Sequence, residues 1–288
     1  MRWIPGRRSE NLEDRRGQSV GPRLPMRGLG GLGLGGFLVL LVLSAIFKTD
    51  LLSLLSTGDG GLGSEGPPAE EAAPVNDPRE EPMVQFVSFV LDDAQAVWSQ
   101  LLPEAGTQYE DAHLVLFRDA AESACGFAEA ASGPFYCPAD GKVYIDLGFY
   151  RELRERFGAP GDFAQAYVIA HEIGHHVQNL LGVSTKVGRA QRSQADRAND
   201  LSVRLELQAD CYAGVWAHST ARRDILEQGD VEEGLNAAAA IGDDRLQRMG
   251  GRTINPDAFT HGSSRQRVSW FRRGFESGRP ESCDTFAQ

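Results

Sequence analysis

Apolar side chains recur at three-and-four spacing through Phe163, Tyr167, Ala170, Ile173, Val177 and Leu181, the stripe of a helix with one buried face. Pro160 and Gly161 break the chain just before it, Asp162 with Gln165 three residues on has the form of an N-terminal capping box, and Gly182 is placed as a stop. A second segment, 197–218, shows the same periodicity through Leu205, Ala209, Tyr212 and Trp216. Further helices are expected over 83–101, 151–157, 231–248 and 264–276, with two or three strands between His113 and Leu147. The fold class implied is α+β, with a small sheet packed on the 163–181 helix.

The N-terminal region follows another pattern. Twenty uncharged residues run from Gly28 to Phe47 and end in F-L-V-L-L-V-L-S-A-I-F, about the length of a transmembrane helix, although Gly30, Gly31, Gly33, Gly35 and Gly36 thin its first half. Seven arginines stand against three acids in the preceding 27 residues, and such a flank stays in the cytoplasm. A cleaved signal peptide competes with this reading, but the flank is long and no clean small-residue cleavage site follows; a buried core helix fits poorly with the glycines. The expected organisation is a basic cytoplasmic tail (1–27), a membrane anchor and its flank (28–55), a flexible linker rich in Gly, Pro, Ala and Glu (56–82), and one domain (83–288). The protein is thus expected in the inner membrane, single-pass, with its domain extracytoplasmic. The net charge of −11 becomes more negative still once the basic tail is set aside, which argues against nucleic acid as a partner.

Four cysteines agree with an oxidising exterior. Cys125 and Cys137 bracket a loop that a disulfide would pin; Cys211 and Cys283, if paired, would strap the C-terminal tail across the 197–218 helix. Three connectivities are open, and a four-thiolate zinc site is a further alternative that lacks a C-x-x-C knuckle.

The candidate chemistry sits on the first helix. His171, Glu172 and His175 form H-E-x-x-H, and the helical turn stacks the two imidazoles on one face, where they can share a metal ion beside a carboxylate base. Catalytic zinc takes three protein ligands and keeps a fourth position for water. Glu206 is the candidate third ligand, and Asp210, four residues on and on the same face, is suited to accept a hydrogen bond from the far nitrogen of His171. The bland alternative is two histidines at the edge of an amphipathic helix and two acids on a solvated face. His176 is turned about 100 degrees from His175 and, like His113 and His218, is read as a non-ligand.

H-E-I-G-H followed by E-L-Q-A-D resembles the gluzincin arrangement of thermolysin and of the CaaX-processing and HtpX-type proteases. More closely, M-R-W at Met1, N-L-E-D-R-R-G at Asn11, G-P-F-Y-C-P at Gly133 and T-H-G-S-S-R-Q-R-V at Thr260 resemble the bacterial family of neutral zinc metallopeptidases nearly end to end. The resemblance implies a zincin-like, membrane-anchored protease with one catalytic Zn2+ and a protein or peptide substrate. Glu172 would take a proton from the attacking water and pass it to the leaving amine. Likeness to the T-H-P segment of HtpX-type proteases makes His261 the candidate donor to the carbonyl oxygen, with Arg267 its neighbour. A strand edge near the site could receive an extended peptide. A zinc-binding scaffold without proteolysis, or a hydrolase of cell-wall amides, are the alternatives.

Overall fold

The computed structural model of the protein describes residues 1–18, 77–129 and 133–287. Helix α1 (Glu81–Glu104) carries Pro82 in its first turn, where a missing N–H costs nothing, and buries Val84, Val87, Leu91, Trp98 and Leu102 along one stripe. Strand β1 (Leu12–Asp14) runs parallel to β2 (His113–Phe117). The hairpin β3 (Ala120–Ser123) with β4 (Gly126–Glu129) follows, then β5 (Phe135–Cys137) and β6 (Lys142–Asp146). The sheet order is β1-β2-β6-β5, with β2 and β6 parallel and β5 antiparallel to β6. The unbroken apolar run of β2 has a physical reason. Leu114 and Leu116 face the helical core, whereas Val115 and Phe117 join Tyr144, Ala121 and Cys137 on the other face, so both faces are covered.

Helices α2 (Gly148–Glu155), α3 (Asp162–Leu180), α4 (Val183–Ser193), α5 (Ala198–Arg222), α6 (Asp230–Ala240), α7 (Asp243–Met249) and α8 (Ser264–Ser277) complete the described chain. Around α3 pack α1, α5 and α6, and α8 crosses α5 closely. At that crossing a Cβ on Gly274 would lie 1.9 Å from the carbonyl oxygen of Cys211, so only glycine lets the two backbones meet. The start of α8 is fixed by a reciprocal capping box between Ser263 and Gln266. Disulfides join Cys125 to Cys137 and Cys211 to Cys283, the second tying the C-terminal tail to α5.

Several expectations are corrected. The described chain is mostly helical, more so than the expected α+β class, although its sheet is small as expected; the transmembrane helix expected before it is not supported. No helix among the described residues is long and apolar enough to cross a membrane, and the segment 28–47 that suggested one lies outside the described residues, as do the rest of 28–55 and the linker up to residue 76.

Residues 1–18 are not a separate tail, because they form one compact unit with residues 77–287. Trp3 packs edge-on against Phe86, and β1 extends the sheet. Arg8 pairs with Asp14 and Glu81, and Arg16 with Asp14 and Glu80; these carboxylates neutralise what reads in the sequence as a membrane flank. The N-terminal ammonium of Met1 is buried against Asp162 and Asp230. The single-pass inner-membrane localisation is not supported, because no helix among the described residues is long and apolar enough to span a membrane.

Locally, Asp162 holds the Met1 ammonium instead of forming a capping box. The expected 231–248 helix is two helices, broken at the extended residue Gly242.

Candidate active site

Two helices build the site. His171 and His175 project from α3 with their ring centroids 4.8 Å apart and nearly perpendicular, and Glu206 reaches them from α5. Gly174 between the histidines permits this approach, since a Cβ there would sit 2.9 Å from the carbonyl oxygen of Ala209. The two Nε2 atoms face different oxygens of one carboxylate: His171 lies 3.2 Å from Oε2 of Glu206 and His175 3.4 Å from Oε1.

These separations suit a shared ion. Ligands at zinc's usual bond lengths, arranged tetrahedrally, lie about 3.4 Å from one another. His171, His175 and Glu206 form a cluster whose ligand atoms all lie within 4.8 Å of each other and could hold a metal.

Both imidazoles are oriented from behind. Nδ1 of His171 donates to Asp210 Oδ1 at 2.9 Å, and Nδ1 of His175 donates to Gln178 Oε1 at 2.8 Å. With both Nδ1 atoms so engaged, the neutral rings present Nε2 lone pairs toward Glu206. Gln178 is itself fixed by donating to the carbonyl of Leu205 at 2.7 Å and to Gln208. Asp210→Asn is expected to weaken zinc affinity roughly 10- to 100-fold, measured by competition with a chromophoric chelator. Unchanged affinity would mean that another group sets the orientation of His171.

Asp210 also holds Arg267, which is 1 % exposed: Nε and Nη2 grip its two oxygens at 2.8 and 2.9 Å, and Nη2 reaches the Tyr167 hydroxyl at 3.3 Å. The Tyr167 hydroxyl donates in turn to Asp210. Burial would push Asp210 up, but Arg267 and His171 hold its carboxyl below the usual range. Burial would raise Glu206 likewise, yet the two imidazoles keep it well below the ordinary carboxylate value. His171 moves oppositely: burial disfavours its charge, but Asp210 and Glu206 outweigh burial and raise it to about 10. The cluster therefore calls for positive charge beyond Arg267. Three buried or partly buried carboxylates, Glu172, Glu206 and Asp210, face one guanidinium, and a divalent cation would balance them.

Glu172 lies beside the triad, 6 % exposed, and burial raises its carboxyl above the ordinary value. Along with the triad it lines a cleft of about 800 Å³ whose walls come from β5, α2, α4 and α7. His261 lines the same cleft from the loop before α8. Its Nδ1 is 3.3 Å from Asp243 Oδ1, and Asp243 Oδ2 accepts the backbone N–H groups of Thr260, His261 and Gly262. The hydrogen bond that the His261 ring donates to Asp243 raises the ring above its usual value despite partial burial.

The structure thus brings His171, Glu172, His175, Glu206, Asp210 and Arg267 together and sets His261 on the cleft wall. Sequence reasoning missed Gln178, Asp243 and the Tyr167 hydroxyl. Only Gln178 carried a local signal, its place three residues beyond His175 on the same helix face. His176 is no part of the triad, and burial pushes its ring below the usual value.

The family model described as "Putative neutral zinc metallopeptidase" matches residues 1–286. The chain is 46% identical to the uncharacterized protein YpfJ of Escherichia coli (strain K12), across 100% of this chain and 99% of that protein. It is also 46% identical over 207 residues to the uncharacterized protein Rv2575 of Mycobacterium tuberculosis (strain ATCC 25618 / H37Rv), covering 68% of each. No solved structure matches the chain.

Proposed function

Since the chain belongs to the family of neutral zinc metallopeptidases, we propose that it hydrolyses peptide bonds in protein or peptide substrates, using one zinc ion held by His171, His175 and Glu206. The observation that carries this reading is Glu172. The triad completes a zinc ligand set without it, so a buried carboxylate of raised pKa beside that set is the equipment of a hydrolase rather than of a metal store.

Bound zinc supplies a Lewis acid that polarises a carbonyl and brings the pKa of water to about 7. The chain's own groups do the rest. Asp210 and Gln178 keep the imidazoles in the ligating tautomer. Glu172 accepts the proton of the attacking water and returns it to the leaving amine. His261, backed by Asp243, donates an N–H to the carbonyl oxygen as that oxygen gains charge.

The sheet offers the substrate its track. Among the described residues, β5 pairs with β6 on one side only, and Phe135 and Tyr136 line the cleft with the triad. An extended peptide can add to that free edge by main-chain hydrogen bonds, its scissile carbonyl lying over the triad.

The test uses the purified full chain and a diverse mixture of unfolded proteins. New N-termini should appear, vanish with a chelator, and return with one equivalent of zinc. If one zinc binds per chain and no peptide bond in the mixture is cut, the reading is wrong.

A further inference from the structure

His176 follows the second zinc-ligand histidine, yet it is 4 % exposed and turned away from the triad. Its Nε2 lies 2.6 Å from the carbonyl oxygen of Glu110, which can only accept, so Nε2 carries the hydrogen. Nδ1, 3.0 Å from the Tyr136 hydroxyl, then accepts that hydroxyl's proton. Asn179, three residues along the same helix face, donates through Nδ2 to the same hydroxyl at 3.1 Å. The Tyr136 hydroxyl therefore gives one hydrogen bond to α3 and receives another from it.

Tyr136 is the middle residue of β5, whose three side chains each have a different support. Phe135 stacks on Tyr144 with centroids 4.8 Å apart and planes 4° off parallel. Cys137 is bridged to Cys125. A strand of three residues that has one neighbour among the described residues has few ladder bonds of its own, so its position must come from these anchors. Of the three, only Tyr136 ties β5 to the helix that carries the imidazoles.

We infer that His176 and Asn179 are positioning residues, which clamp Tyr136 and so fix the distance between the substrate-bearing edge of β5 and the metal triad. The inference rests on the peptidase reading above. A peptide laid along β5 has its carbonyl placed over the triad only if strand and helix keep one spacing, and a shift of about 1 Å at such a site costs on the order of 100-fold in rate. Because both clamp residues sit on the rod that bears the ligands, spacing is set by one rigid element and not by loops.

The experiment compares the zinc-loaded full chain with Tyr136→Phe, His176→Leu and His176→Gln. Tyr136→Phe removes one hydroxyl and should raise KM for an eight-residue peptide roughly 3- to 10-fold. Affinity for acetohydroxamate, a zinc chelator too short to lie along β5, should stay unchanged. Amide hydrogen exchange should accelerate in 134–137 while that of 171–179 stays as in the wild type. His176→Leu should raise KM likewise, and because a glutamine amide can both donate and accept, His176→Gln should reverse most of that rise. If His176→Leu does not fold, Tyr136→Phe decides alone. Unchanged exchange at 134–137, or equal weakening of peptide and hydroxamate, overturns the clamp. A wild type that cuts no peptide overturns the peptidase reading instead, and the exchange comparison still decides the clamp.

Discussion

Glu172→Gln is expected to keep one zinc per chain with wild-type affinity and to cleave peptides roughly 10²- to 10⁴-fold more slowly. Glutamine has nearly the shape of glutamate, so it fits the same buried place beside His171 and His175. It cannot take up a proton at any working pH, and proton transfer from water to the amine is then left to solvent. The ligand set does not include residue 172, so metal content should not move. His175→Ala provides the contrast: it removes a ligand, and ion and activity should disappear together. Zinc content by metal analysis and kcat/KM on one peptide separate the two effects. Wild-type cleavage by Glu172→Gln would remove the assigned base; loss of the ion from the same variant would show that Glu172 holds metal.

The pattern of the proposed ligands is readable in the sequence because it lies within helices. A fixed turn converts the spacing of 171 and 175, and of 206 and 210, into shared faces, and no knowledge of the rest of the fold is needed. What the spacing cannot show is which helices meet. The approach of α5 to α3 depends on Gly174 fitting against Ala209, and the crossing of α8 depends on Gly274 fitting against Cys211; both are contacts between distant segments.

Asp243 escaped for the same reason, since its partners are amides of residues 260–262, reached across a turn. The hydrogen bonds of those amides also explain why the expected 231–248 helix breaks: Asp243 must leave the line of α6 to receive them. Helix α4 gave no apolar stripe because only Val187 is buried along it, although its residues wall the cleft.

The first 18 residues misled in a different way. Their arginines have no local partner except Glu10, Glu13 and Asp14, so composition reads them as a membrane flank. Glu80 and Glu81, more than 60 positions on, supply the countercharge, and Asp162 and Asp230 receive the ammonium. Tyr167 belongs to the apolar stripe by its spacing, which suits its ring. Its hydroxyl, meanwhile, sits in the polar cluster of Asp210 and Arg267.

That cluster sets the second large effect. Arg267→Met is expected to destabilise the protein by about 3–5 kcal/mol, the usual cost of leaving a buried charge without its partner. The side chain of Asp210 is 0 % exposed, and its two oxygens are held by the guanidinium fork. Methionine fills similar volume but returns none of these bonds, so Asp210 would keep only His171 and Tyr167. Arg267→Lys retains the charge and loses the two-pronged geometry, and should fall between the two proteins. Zinc gives the measurement its direction. A dication at the triad restores part of the missing positive charge, so the loss seen in urea unfolding should be larger for metal-free protein than for zinc-loaded protein. Coupling provides the cross-check: Asp210→Asn already removes the charge that Arg267 answers, so Arg267→Met should cost less in that background than in the wild type. An Arg267→Met protein that unfolds at the wild-type midpoint, with and without metal, would mean that solvent reaches Asp210 and that the pair contributes nothing to holding α8 against α5.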